Sequence, residues 1–302
     1  MAVTVQSMRI GITSRDGGRL VAFYRDALGF TPSSSQRADD LARTLGGDTA
    51  RAEIVCARLG DQEIEIATFA PHGAPYPPDI VANDLRFQHF AVVVSDMKAA
   101  FTRLQAVGGW TAISRGGPQE LPETFGGVTA FKFRDPDGHP LELLEFTRGE
   151  PDRWRGRSAP GPCLGIDHTA ITVSDTARSV AFYRELLAVS VAETSLNRGA
   201  EQQDLDGIPA PVVSVTSLRR PTSSDPGIEL LRYSRTVGSD PPRPTAVAAT
   251  RLMVAVDSVA NVASRIAALG GTPLSAMGGY GQRRALAAHD PDGHLLVFLA
   301  PA

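Results

Sequence analysis

Two cysteines, Cys56 and Cys163, are all the sulfur chemistry that this 302-residue chain offers, and they form no C-x-x-C spacing. A disulfide framework and a cysteine-based metal site are therefore not expected, and both thiols read as reduced. There is no basic excess: 30 Lys and Arg stand against 33 Asp and Glu, a formal charge of −3. That balance excludes a broad cationic face for nucleic acid or anionic lipid. No apolar run approaches the ~20 residues of a membrane span, and the first residues, M-A-V-T-V-Q-S-M-R-I, lack the basic flank and apolar core of a signal peptide. A cytoplasmic protein, monomer or homodimer, without nucleic-acid or membrane partners is the expectation. With 42% hydrophobic residues the chain can bury a sizeable core, and its length suits two domains of about 150 residues.

Repetition is what the chain has in abundance. Four segments open with an alternating strand: Met8 to Thr13, Gln88 to Val94, Asp167 to Val173 and Thr250 to Val256. A short polar turn and an amphipathic helix follow each one. Two of the helices carry nearly the same text, A-F-Y-R-D-A-L-G-F from Ala22 and A-F-Y-R-E-L-L-A-V from Ala181. The other two span 98–107 and 259–269 and stop at Gly108-Gly109 and Gly270-Gly271. Three further strands follow each helix, so the unit is β-α-β-β-β, written four times. Arg9 and His168 are 159 positions apart, His89 and Thr250 are 161 apart, and the halves read as a duplication.

The expected modules are 1–148, with units 8–70 and 86–147, and 165–302, with units 165–234 and 248–300. The Pro-, Gly- and charge-rich stretch around 149–164 joins them. Within each half, the last unit closes on the same turn, D-P-D-G-H, at Asp135 and at Asp290. Asp bonds its own backbone, Pro pre-sets φ, and Gly closes the turn without a Cβ. Glu142 follows the first copy in an otherwise apolar strand, where a carboxylate is costly unless a cation receives it. Val297 stands at that place after the second copy.

The strand-one position, the F-Y-R-x-x-L helix and the D-P-D-G-x-x-x-E hairpin together resemble the vicinal oxygen chelate superfamily. Its members include glyoxalase I, methylmalonyl-CoA epimerase, fosfomycin- and bleomycin-resistance proteins and extradiol dioxygenases. The resemblance covers nearly the whole chain and implies an α+β fold in which paired units curl into half-barrels. In the family, metal ligands come from the first and fourth strands of each unit. Here the first strands offer Arg9, His89, His168 and Thr250, and the fourth strands offer Glu65, Glu142, Glu229 and Val297. Pairing neighbours would give two half-equipped sites. Pairing unit two with unit three, as in fused glyoxalase I chains, gives one full set, His89, Glu142, His168 and Glu229. The other set, Arg9, Glu65, Thr250 and Val297, is then abandoned, with Arg9 bridging Glu65.

Two imidazoles and two carboxylates suit one divalent ion such as Ni, Co, Fe, Mn or Zn. The resemblance implies isomerase- or lyase-type chemistry on a small α-oxygenated carbonyl substrate. Chelation acidifies the proton beside the carbonyl, and Glu142 or Glu229 moves it. An extradiol-type Fe(II) dioxygenase using two His and one Glu is the second reading. A metal-free drug- or metabolite-binding protein is the third. A lone strand histidine is more often a satisfied core residue than a ligand, and the matched pair argues against that for His89 and His168. His139, His294 and His289 beside the turns, and His72 in a Pro-Gly loop, read as surface residues.

Overall fold

A computed structural model describes residues 3–47, 51–123, 127–148, 150–221, 223–238 and 240–302. Unit one runs β1 (Val5–Ser14), α1 (Gly17–Phe23) continued by a π-helical turn (Tyr24–Leu28), β2 (Thr31–Arg37), α2 (Asp39–Thr44), β3 (Arg51–Leu59) and β4 (Gln62–Ala70). Unit two has β5 (Gln88–Val94), α3 (Met97–Val107), the short β6 (Thr111–Ala112) and β7 (Gln119–Glu120), β8 (Val128–Arg134) and β9 (Pro140–Phe146). Unit three has β10 (Cys163–Thr172), α4 (Thr176–Leu187), β11 (Ser190–Arg198), α5 (Ala200–Asp206), β12 (Val212–Arg219) and β13 (Gly227–Tyr233). Unit four has β14 (Arg251–Val256), α6 (Val259–Ile266), β15 (Thr272–Pro273), β16 (Gly278–Tyr280), β17 (Arg283–His289) and β18 (Leu295–Pro301). The class is α+β, as the repeat pattern predicts. Two features depart from that pattern: the helices α2 and α5 are inserted in units one and three, and the second strands of units two and four are broken into short pieces.

Each helix that follows a first strand starts where a short polar side chain caps it. Asp16 accepts from Arg19 N, Asp96 from Ala99 N, Asp175 from Arg178 N and Ser258 from Asn261 N. Such a cap contributes about 1 kcal/mol and fixes the start of the helix. One face of each helix then packs into an apolar core.

Sheets and cores join the units differently. One nine-stranded sheet joins units four and one, with β1 antiparallel to β14. The other joins units three and two, with β10 antiparallel to β5. The two largest apolar cores instead lie mostly within the sequence halves, with Cys163 and Ile166 joining the first and Val3, Val5 and Met8 the second. Ile10, Tyr24, Leu28, Phe90, Phe131 and Leu143 cluster in one, and Ile171, Phe182, Leu187, Val254, Val262 and Phe298 in the other. The D-P-D-G-H turns latch these cores. Tyr24 Oη donates to Asp135 (2.7 Å) and Tyr183 Oη to Asp290 (2.9 Å), so each F-Y-R helix of one sheet is tied to a hairpin of the other.

His139 and His294 are therefore not surface residues, as their position after the turns suggests, but are buried at 1% and 7% exposure. His139 directs Nδ1 at Asp135 (2.8 Å) and Nε2 at the carbonyls of Thr13 and Val247; His294 directs Nε2 at the Thr172 carbonyl. His72 is exposed and His289 half-buried. No helix among the described residues is long and apolar enough to cross a membrane.

Candidate metal centre

Register places the four ligand-type residues together. Across the antiparallel β5–β10 pair, His89 lies opposite Ala170, and His168 lies opposite Ala91. The parallel partners of those alanines are Glu142 beside Ala91 and Glu229 beside Ala170. Side chains alternate with period two, so all four project from the same, concave face. His89, Glu142 and His168 each present a donor atom within 4.8 Å of the others. Glu142 Oε2 is the shared focus, 3.1 Å from His89 Nε2 and 3.8 Å from His168 Nε2. Glu229 Oε2 reaches His168 Nε2 at 3.4 Å, while its other oxygen accepts from Ser217 Oγ at 2.7 Å.

His168 is oriented by a device that the periodicity conceals. The β5–β10 register shifts between Ile166 and His168, a bulge at Asp167. Bulges re-aim side chains, and here the extra residue brings Asp167 Oδ2 to 3.0 Å from His168 Nδ1. Asp167 is itself clamped. Its Oδ1 accepts from Arg153 Nη2 (2.7 Å) and Trp154 Nε1 (2.6 Å), and Arg219 binds Oδ2. Arg153 and Trp154 belong to the stretch between the halves. That stretch is docked, with Trp154 packed on Val93 and Leu164. His89 has no such partner: its Nδ1 is buried without a hydrogen bond, and its ring meets Phe87 edge-on at 5.6 Å.

The electrostatics call for a cation at the focus. Burial pushes the Glu142 carboxyl up, but Lys132 and the two neighbouring histidines outweigh it and hold the group well below the usual range. Burial likewise opposes charge on His168, yet Glu229, Asp167 and Glu142 overcome it and push the imidazole up to about 10. His89 is lowered, by burial first and then by Lys132. A neutral His89 and ionised Glu142 are ready donors. His168 Nε2, buried and without a hydrogen bond while Nδ1 is engaged, is aimed into the gap between the carboxylates. Held by an orienting carboxylate, this imidazole has the form of a metal ligand. The set fits a divalent ion of intermediate softness.

The cluster forms the floor of a cavity of about 430 Å³. Leu144, Leu205, Val215 and Leu231 give it apolar walls, and Arg153, Arg219 and Glu193 line it as well. Lys132 lines it too. This lysine sits on β8 directly across from Glu142, and its Nζ donates to Asp206 at 2.7 Å. Neither partner stands out from residue periodicity, although a lone Lys between Phe131 and Phe133 opposite a lone carboxylate is a usable signal.

The concave face of the other sheet is closed. Arg9 Nη2 bonds Glu65 at 2.7 Å, and Tyr280 Oη donates to the same oxygen at 2.7 Å, so the bridge between Arg9 and Glu65 is present. The fourth member differs from expectation. Gly11 pairs with Arg251 and Arg9 with Met253, so the counterpart of His89 is Arg251, not Thr250. Arg251 is fully buried, with Nη1 donating to Thr13 Oγ1 and Nη2 to the Ile12 carbonyl. Its guanidinium lies over Gly11, where a Cβ would come within 2.8 Å of Nε. Met253, Val297 and Leu41 of α2 fill the remaining space.

A family model described as Glyoxalase/Bleomycin resistance protein/Dioxygenase superfamily matches residues 7–143 and 165–298. Curated protein sequences gave no match. Among solved structures, a single-substitution variant of glyoxalase I from Zea mays superposes with a TM-score of 0.67 at 16% identity, covering 97% of this chain and 92% of its own. Glyoxalase I from Zea mays gives 0.62 at 16% identity, covering 97% and 92%. A candidate dioxygenase from Bacillus subtilis subsp. subtilis str. 168 gives 0.56 at 14% identity, covering 99% and 86%. At these identities the structural likeness speaks to fold alone.

Proposed function

We infer that this chain, which belongs to the Glyoxalase/Bleomycin resistance protein/Dioxygenase superfamily, is a metal-dependent enzyme moving a proton on a small α-oxygenated carbonyl compound. The observation that carries this reading is the buried, unpartnered His168 Nε2 facing Glu142 and Glu229 at the floor of a cavity. His89, Glu142, His168 and Glu229 are the proposed holders of one divalent ion per chain. When bound, such an ion supplies Lewis acidity that weakens the C–H bond beside a chelated carbonyl.

The protein's own part divides between the two carboxylates. Glu142, fixed between two imidazoles and Lys132, stays ionised and acts as an anchor. Glu229 is the proposed base: its side chain is 21% exposed, lines the cavity and is steadied by the Ser217 hydroxyl. It takes a proton from the substrate carbon and returns it, while Asp167 keeps His168 in one orientation. The apolar walls limit water around the reacting carbon. The halves 1–148 and 165–302 serve as the modules in this reading, each supported by its own apolar core.

One observation favours a second reading. The compact three-donor group His89, Glu142 and His168 has the composition of the two-His, one-carboxylate set of non-haem Fe(II) oxygenases. The test that separates the two is solvent deuterium incorporation. Metal-loaded protein should be incubated under argon with dicarbonyls and epimerisable α-oxygenated acids or thioesters. Deuterium should enter beside the carbonyl without O2. Glu229→Gln should keep the ion, through its amide oxygen, and lower exchange by roughly 10²–10⁴-fold. Turnover that needs O2 and survives Glu229→Gln would establish the dioxygenase reading instead.

A further inference from the structure

Lys132 is an ammonium group enclosed in the candidate cavity, its side chain 5% exposed. It stands across from Glu142 in register and on the same face, where paired side chains lie about 5 Å apart at Cβ. Among the described residues its Nζ makes one hydrogen bond, to Asp206 Oδ1. Asp206 is held rigidly on its other oxygen by Gln202 Nε2 (2.8 Å) and Tyr233 Oη (2.9 Å). An ammonium carries three donors, so two remain for the cavity. The fold does not require a cation here, because Ala287 occupies the corresponding place opposite Val297 in the other sheet. A buried charge with spare donors beside a ligand cluster is costly to keep without a use.

Resting on the metal-centre reading, we propose that Lys132 is a specificity residue and that the substrate is an acid. Its carboxylate, or another anionic oxygen, lies one or two bonds beyond the pair of oxygens that chelate beside Glu142, and accepts the free Lys132 donors. Asp206 sets the direction of the ammonium and leaves its two remaining donors to the acid.

The test uses two probes with the same α-hydroxycarboxylate, lactate and malate, malate carrying one more carboxylate. Each is titrated into the Co(II)-loaded protein and followed by the visible Co(II) spectrum. The ratio of malate to lactate affinity is compared between the wild type and Lys132→Met, which cancels the probes' intrinsic difference in chelation. Because Lys132→Met leaves Asp206 as a buried orphan charge, the double variant Lys132→Met/Asp206→Asn carries the same comparison in a neutral background. The ratio should fall about tenfold in both, the scale of one hydrogen bond to a charged group. A fall of less than about threefold in the folded double variant overturns the inference. Co(II) uptake with an unchanged ratio removes this inference alone, whereas no Co(II) uptake removes the metal-centre reading beneath it as well.

Discussion

The two concave faces share one backbone plan and have opposite contents. Position by position, His168 corresponds to Arg9, His89 to Arg251, Glu142 to Val297, Ala91 to Met253 and Ala170 to Gly11, while Glu229 and Glu65 alone keep their type. In one sheet the donors surround a gap that calls for a positive charge. In the other, two guanidiniums bring the charge themselves, and Met253, Val297 and Leu41 fill the space. The inserted helices follow suit. Gln202 and Asp206 on α5 face polar partners at the cavity, whereas Leu41 and Ala42 on α2 seal the closed face. Five exchanges at equivalent positions, together with the inserted helices, separate a site from a packed interior.

The largest effect should come from breaking the closed face. Arg9→Ala leaves Glu65, which is fully buried, with Tyr280 as its remaining hydrogen-bond partner among the described residues and Arg251 as the nearby charge. Removing one member of a buried pair destabilises by about 3–5 kcal/mol. Denaturant unfolding should read that loss, while metal uptake at the open face persists in the folded fraction. Next in size, Asp167→Asn should lower metal affinity by about 10–100-fold by weakening the charged hydrogen bond that orients His168, measured by competition with a chelator. Gly11→Ala should cost about 1–3 kcal/mol through overpacking against Arg251. Ala170→Gly, its counterpart, should leave the open face intact apart from a smaller backbone effect of roughly 1 kcal/mol. Paired melting curves check both.

The smallest effect concerns the latches. His139 faces one carboxylate and two carbonyls, so both ring nitrogens donate and the imidazolium is favoured; burial opposes the charge but Asp135 prevails and raises the pKa. Stabilisation from a raised group is complete below its unfolded value near 6.5 and is lost as pH rises through the folded value. Wild-type melting temperature should therefore fall more steeply than that of His139→Gln as pH rises above about 6.5. Equal slopes would show that the ring is neutral.

Much of this was readable from residues, and the failures have physical causes. The fourfold unit and its helices follow from period-two strands, short polar turns and the D-P-D-G turn, whereas the candidate ligand positions came from the family resemblance. The exchanged pairing was legible because only that pairing gathers two histidines and two carboxylates. Choosing Thr250 over Arg251 was a slip of one residue, which in a strand moves a side chain to the opposite face. Asp167 was hidden because a bulge breaks the alternation that any pattern relies on. The stretch containing Arg153 and Trp154 has linker composition, but a single Trp docked on an Asp ties it down. His139 and His294 follow glycines in polar turns, and only the tertiary contact with Thr13 and Thr172 carbonyls puts them inside. The helices α2 and α5, with 6 and 7 residues, are too short for a period to emerge.

The contrast between the faces is tested most directly by elemental analysis of the purified, metal-reconstituted protein. One divalent ion per chain is expected in the wild type and in Arg9→Ala, and essentially none in the double variant His89→Ala/His168→Ala. Two ions per chain, or full occupancy in the double variant, would contradict it.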